Sequence, residues 1–360
     1  MRRISDTIER LARYTSPASS AASQVSKLAQ LEIMGPNPGK LLGWYRKPDT
    51  VKHPALVVVL HGCTQTAAGY DNGSGWSQLA EDYGFAVLFP EQTRQNNPNL
   101  CFNWFQTEDI TRGAGEVRSI REMVATMVGT HGVDAQRVYV TGLSAGGAMT
   151  NALLATYPEV FAGGAIIAGL PYATAATVPE AFDRMRGHGL PSPVVLQNKI
   201  REATRHDGAW PTVAVWQGTA DKTVVRANAR AIIDQWQGVH GVAGEPTVSH
   251  VVEGQAYEAW TDGFGRAVIE HYQISGMNHG TPLDGTTGYG RAAPYRLDVG
   301  ISSTVHIARS WGLTPSFERK FASNMEAHAA SSSAHLHSPS GTEGIQEVIE
   351  RAMRSAGLMK

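Results

Sequence analysis

Apolar residues fall into short, nearly unbroken runs separated by stretches with helical spacing. From about residue 28 the runs LAQLEIM, KLLGWYR, PALVVVLHG, GFAVLFPE, RVYVTGLS, AGGAIIAG, PTVAVWQG and AVIEHYQIS read as strands. Between several of them lie GWSQLAEDY, GEVRSIREMVATMV, GAMTNALLATY and ANARAIIDQWQ, with STVHIARSWGL last, all of helical periodicity. Strands apolar on both faces that alternate with helices predict an α/β fold, a mainly parallel central sheet covered by helices on both faces.

Three stretches depart from this rhythm. Residues 171–209 hold two helical segments, EAFDRMRG and PVVLQNKIREATR, between two core strands. Such an excursion at the carboxyl ends of parallel strands is expected to lie over the ligand crevice as a lid-like insertion. Residues 1–27 read as an amphipathic helix, with Ile4, Ile8, Leu11 and Ala12 on one face, followed by a Ser/Ala-rich linker. Residues 315–360 read as a polar linker and a second amphipathic helix, bearing Ile345, Val348, Ile349, Ala352 and Met353. The two terminal helices are candidates to pack on the 28–314 domain or to pair subunits into a homo-oligomer.

Composition narrows the function classes. The 31 Lys and Arg balance 32 Asp and Glu, which leaves no electrostatic footprint for nucleic acid. No apolar run reaches the roughly 18–20 residues of a membrane span. The N-terminus starts basic, but Asp6, Glu9, Arg10 and Arg13 interrupt the apolar stretch that an export signal needs, which argues for the cytoplasm. The two cysteines, Cys63 and Cys101, exclude a disulfide-rich scaffold and a multi-cysteine zinc cluster. Cys63 follows the run LVVVL directly, and spacing alone leaves three readings for it: a thiol nucleophile, a metal ligand, or a residue used for its backbone or a crosslink.

The most informative stretch is RVYVTGLSAGGAMTNALLATYP. A β-branched run ends at Gly142-Leu143-Ser144-Ala145-Gly146 and a helix begins at once. Chance alone produces on the order of 0.3 G-x-S-x-G matches in a chain of this composition, so the context decides. A serine at a strand-to-helix turn is held in a strained backbone with its hydroxyl exposed, as in the α/β-hydrolase fold. That hydroxyl is a poor nucleophile until an imidazole takes its proton and a carboxylate orients the imidazole. The chain order in this fold is Ser, acid, His. Asp221, in the loop after WPTVAVW, is the expected acid; Asp234, inside a helix, and Asp262, in the turn-like WTDGFG, read as surface carboxylates. His279, in the loop after AVIEHYQIS, is the expected base, whereas His271 sits in mid-strand. His53, His131, His188, His206 and His240 read as solvated, and His335 and His337 belong to the polar tail.

One oxyanion donor in this fold is the amide after the nucleophile, here Ala145. The other comes from the loop after an earlier strand, which is LVVVLHGCTQT, and its donor is the amide of Cys63. On this reading the thiol is not the nucleophile, and His61 holds the loop.

With these residues placed, the chain resembles the poly(3-hydroxybutyrate) depolymerase family of esterases, which is related to feruloyl and acetylxylan esterases. The motifs that carry the resemblance are LHGCTQT (60–66), CFNWF (101–105), RGAGE (112–116), VYVTGLSAGGAMT (138–150), WQGTAD (216–221) and GMNHGTPL (276–283). It implies Ser144, Asp221 and His279 as a triad in a catalytic domain of α/β-hydrolase fold, and Cys63 in the oxyanion hole. It also implies a Cys63–Cys101 disulfide and places Trp104 beside the acyl pocket. A pocket for the acyl or alcohol group is expected to include Thr64, Gln65, Trp104, Leu170, Tyr172, Trp210 and Asn278, with core or rim packing as the competing reading for each. A cytosolic bridge is unusual, so the resemblance allows an extracellular location. No polymer-binding module is visible, which favours short hydroxyalkanoate esters or oligomers as substrates and calls for no cofactor and no metal. Feruloyl or acetyl esters of plant polysaccharide are the alternative, and a binding scaffold with a broken triad is the non-enzymatic one.

Overall fold

The computed structural model describes residues 27–315; the two terminal helices expected from the sequence, with His335 and His337, lie outside them. In chain order the strands of the main sheet are β1 (Ala29–Gln30), β2 (Leu42–Arg46), β3 (Leu56–Leu60), β4 (Ala86–Glu91), β5 (Val138–Leu143), β6 (Gly163–Ile167), β7 (Thr212–Gly218), β8 (Val248–Val252), β9 (Gln255–Thr261) and β10 (Ala267–Ile274). They pair in the order β1-β2-β4-β3-β5-β6-β7-β10-β9-β8. The central run from β4 to β10 is parallel throughout, while β1 and β2 at one edge and β9 and β8 at the other are antiparallel.

The apolar runs are unbroken because both sheet faces are covered. Leu56, Val58 and Leu60 of β3 point into a core shared with α4 (Gly115–His131), α5 (Ala145–Thr156) and α8 (Ala227–His240). Val57 and Val59, one residue out of phase, point into the opposite core with α1 (Ala67–Ser74), α2 (Trp76–Tyr83) and α9 (Ser303–Ser310). All five are completely buried, each contributing about 1.5–3 kcal/mol of burial free energy. Two shorter helices, α6 (Val178–Met185) and α7 (Pro193–Ala203), form the 171–209 insertion, and a single turn, α3 (Thr107–Ile110), precedes α4. A separate two-stranded sheet pairs β11 (Thr281–Leu283) with β12 (Arg296–Asp298).

Several elements differ from the sequence expectation. LAQLEIM yields only the two-residue β1, since it meets the sheet at its edge. The β8–β9 hairpin is absent from the apolar pattern because β8 is exposed along most of its length, as an edge strand without an outer neighbour. Helix α1, AAGYDNGS, is rich in poor helix formers; Thr66 caps it by accepting from Gly69 N, and Gly75 ends it in the left-handed conformation. Among the described residues no helix is long and apolar enough to cross a membrane.

Candidate active site

The loops that leave the carboxyl ends of β3, β5, β7 and β10 converge, which is where an open parallel sheet places its ligand crevice. Ser144 sits between β5 and α5 with φ 58° and ψ −117°, a backbone conformation costly for any residue with a side chain. Its N–H donates to Ile167 O at 2.9 Å and its carbonyl accepts from Ala148 N at 2.8 Å, which holds the turn between β6 and the new helix. Both flanking glycines are sterically required. A Cβ on Gly146 would stand 2.5 Å from the carbonyl oxygens of Leu60 and His61, and one on Gly142 would strike the carbonyl of Gly146.

The acid and base loops are stitched together by their backbones. Ala220 N donates to Met277 O at 3.0 Å, Thr219 N to Ile274 O at 2.9 Å, and Gly276 N to the Thr219 hydroxyl at 2.8 Å. This brings the Asp221 carboxylate to His279, whose Nδ1 donates to Oδ2 at 2.7 Å, with both side chains buried. The amides of Thr223 and Val224 each donate to Oδ1 at 2.9 Å, and Gln217 Nε2 donates to Oδ2 at 3.2 Å. With the proton held on Nδ1, Nε2 is the free basic nitrogen. Asp234 instead pairs with Arg230 and Asp262 with Arg266, both at the surface, and His271 pairs with Glu258.

Ser144, His279, Cys63 and Ala145 line one cavity of 220 Å³. The amides of Cys63 and Ala145 have no acceptor among the described residues, whereas the neighbouring Thr64 amide is spent on Asn99 O at 2.7 Å. The His61 ring holds this loop: Nδ1 donates to Gly62 O at 2.8 Å, and Nε2 accepts from Gln92 N at 3.1 Å. Burial lowers its pKa to about 4, so the ring stays neutral. Cys63 and Cys101 are joined by a disulfide.

Of the expected substrate contacts, Thr64, Gln65, Trp104 and Leu170 line the cavity, and Gln65 Oε1 also accepts from Gly62 N at 3.0 Å. The other three are placed elsewhere. Tyr172 is buried in the core beneath, its amide and carbonyl bound by Gln235 and its hydroxyl by Ile110 O. Trp210 packs on the rings of His206 and Trp236. Asn278 is exposed. The loop direction explains this last placement: a residue adjacent to the buried His279 faces the other way. His240, expected in solvent, donates from Nε2 to Pro211 O at 3.1 Å, and burial lowers its pKa to about 4.

Sequence reasoning missed the apolar wall contributed by α6, namely Val178, Ala181, Phe182 and Met185, although EAFDRMRG was read as a helix over the crevice. It also missed Tyr295, which enters the cavity from the β12 approach with φ 65°. The role of Glu116, in RGAGE, was equally hidden. Fully buried, it accepts from Gln92 Nε2 at 2.5 Å and from Asn103 N at 2.9 Å. Burial, reinforced by nearby Asp109, pushes its carboxyl up to about 8.

Residues 44–254 match the family described as Esterase PHB depolymerase. The chain is 42% identical over 298 residues to poly(3-hydroxyalkanoate) depolymerase C of Paucimonas lemoignei, covering 81% of this chain and 72% of that one. It is 32% identical to an acetylxylan esterase of Coprinopsis cinerea, covering 72% and 71%. Its fold matches the acetyl xylan esterase structure from Aspergillus awamori with a TM-score of 0.68 at 24% identity, over 79% of this chain and 99% of that one.

Proposed function

Because the chain belongs to the esterase PHB depolymerase family and is a carboxylic ester hydrolase, we propose that it cleaves short-chain hydroxyalkanoate esters or oligomers through an acyl-enzyme on Ser144. His279 Nε2 takes the Ser144 proton as Oγ attacks the ester carbonyl, and Asp221 steadies the imidazolium. The amides of Cys63 and Ala145 receive the oxyanion. His279 then protonates the leaving alcohol, and water, activated by the same nitrogen, releases the acid.

The observation that carries this reading is the convergence of Ser144 and the Asp221-bound His279 on one cavity that also holds two amides without acceptors among the described residues. The substrate class rests on the named activity of the Paucimonas relative and on size. At 220 Å³ the cavity lies below the roughly 300–1,000 Å³ of drug-sized sites. It suits a short acyl unit between Trp104 and the α6 wall. Acetyl esters are the second reading, supported by the 32% identical acetylxylan esterase.

Ser144→Ala, compared with the parent on hydroxybutyrate oligomers, methyl ferulate and acetylated xylan, tests both parts. The expected loss is at least about a thousandfold, with the parent fastest on the oligomers. Undiminished turnover by the variant overturns the nucleophile; a parent that prefers acetylated xylan or ferulate overturns the substrate class alone.

A further inference from the structure

A second cavity, of 360 Å³, lies between α8 and the strands β7, β9 and β10. One of its walls is Gln217, the residue whose Nε2 reaches the Asp221 carboxylate. The Gln217 amide nitrogen is fully engaged, on Asp221 Oδ2 and on the carbonyls of Val224 and Gly218. Its Oε1 has no donor among the described residues, although the residue is only 2% exposed.

The remaining polar groups divide by position. On the strand side, His271 Nδ1 donates to Glu258 Oε2 at 3.1 Å, and Gln273 Nε2 approaches the same oxygen at 3.3 Å. That fixes the Nδ1 tautomer and leaves His271 Nε2 as an acceptor, in a ring whose burial disfavours protonation. On the helix side stand two guanidinium groups. Arg230 gives one nitrogen to Asp234 at 2.8 Å while staying more than half exposed, and Arg226, at the start of α8, has no carboxylate partner among the described residues. The Oε2 of Glu258, the one acidic residue of the wall, is thus occupied from the strand side, and the open positions include the acceptors Gln217 Oε1 and His271 Nε2 and an arginine pair.

A ligand that meets the arginine pair and one of these acceptors has a carboxylate at one end and a hydroxyl donor at the other. We propose that this cavity is a binding site for a small hydroxy acid, with its carboxylate on Arg226 and Arg230 and its hydroxyl donating to Gln217 Oε1. Bound there, it acts on hydrolysis through Gln217. The idea rests on the ester-hydrolase reading above, because addition of water across a hydroxyalkanoate ester releases such an acid. A hydroxyl on Oε1 polarises the amide whose other end donates to Asp221 Oδ2, the oxygen that also receives His279. The effect therefore falls on kcat.

The experiment measures hydrolysis of 4-nitrophenyl acetate by the full chain with added 3-hydroxybutyrate, and titrates the same acid calorimetrically into the parent, Ser144→Ala and Arg226→Met. The expected result is a change in kcat that persists at saturating ester, with calorimetric binding to Ser144→Ala. Binding should weaken at least tenfold in Arg226→Met, an exposed position whose replacement leaves the core alone. Butyrate, which lacks the hydroxyl, should bind at least tenfold more weakly. Purely competitive inhibition, or identical binding by Arg226→Met, overturns the site. Butyrate binding as tightly as 3-hydroxybutyrate overturns the hydroxy-acid assignment. The reporter ester is not a hydroxyalkanoate, so failure of the oligomer reading shows separately, as absent oligomer cleavage.

Discussion

The turn that carries Ser144 and the segment 92–106 that carries Trp104 border the same cavity, yet they are held by different means. The turn is fixed by packing: β5 and α5 are almost wholly buried, and Gly142 and Gly146 let backbones meet where a methyl group would not fit. The wall has no regular structure from Gln92 to Gln106 and is fixed by polar tethers. Asn97 Oδ1 accepts from the amides of Asn99 and Cys101, and its Nδ2 donates to Asn103 Oδ1 at 2.9 Å. Gln92 links His61, the Cys101 carbonyl and the buried Glu116, and the disulfide ties Cys101 to the oxyanion loop. Packing tolerates almost no change in shape, whereas a tether network distributes a loss over several partners.

The comparison is broken most sharply at Gly146. A Cβ there would stand 2.5 Å from two backbone oxygens that cannot rotate away. Gly146→Ala should cost at least about 4 kcal/mol, beyond the usual range for overpacking, because the obstacle is main chain. Urea denaturation followed by circular dichroism checks this. A variant within about 1 kcal/mol of the parent would show that the turn is as forgiving as the wall.

The same contrast explains what was legible in the sequence. Strands β3, β5 and β7 announce themselves because burial on both faces leaves nearly uninterrupted apolar runs, whereas β10 carries Glu270, His271 and Gln273 and reads as a strand from its remaining apolar positions; the loops after the four could be assigned in order to the expected oxyanion donor, Ser144, Asp221 and His279. Packing of this kind is local and periodic. The wall is neither: Asn97, Gln92 and Glu116 are ordinary polar residues whose partners lie up to 31 residues away for Gln92 and His61. Nothing in RGAGE indicates that its glutamate is buried under CFNWF. Phe182 and Met185 lie on a helix that was recognised, but which face a short helix turns toward a cavity depends on its docking. Tyr172 and Trp210 fail for the converse reason, since an aromatic near a site in sequence is as easily core as lining.

Removing the disulfide should act on the wall and spare the turn. The bridge spans 38 residues, and loop-closure entropy for that length gives about 4 kcal/mol, with measured bridges nearer about 2–4 kcal/mol. The double variant Cys63→Ala/Cys101→Ala should therefore lose stability of this order. Below its new Tm it should raise KM more than it lowers kcat, because the Cys63 amide remains while Trp104 gains freedom. A kcat loss as large as that of Ser144→Ala, with KM unchanged, would place the bridge in the chemistry rather than in the wall.

The smallest effect, and the most discriminating, is expected at Glu116. Its carboxyl is pushed up to about 8 from the ordinary 4.5 by burial and by Asp109, against the opposing hydrogen bonds of Asn103 and Gln92. In the unfolded chain the group releases its proton near 4.5, whereas the folded wall keeps it until about 8. Between those values the folded state binds more protons, so this contribution to stability is complete below 4.5 and is lost as pH rises through about 8. Glu116→Gln has nearly the same shape and does not titrate, but its amide oxygen keeps only one of the two donors, Gln92 Nε2 and Asn103 N, and its nitrogen faces the other. At the acid end it should lie about 1–3 kcal/mol below the parent, because one buried donor loses its acceptor. Its stability should then fall less steeply across the window, so that parent and variant converge or cross toward pH 8. Tm measured across that range for both proteins gives two slopes. Parallel slopes would mean that Glu116 is already ionised beneath the wall, held by its hydrogen bonds against burial, and that the tether is a charged one.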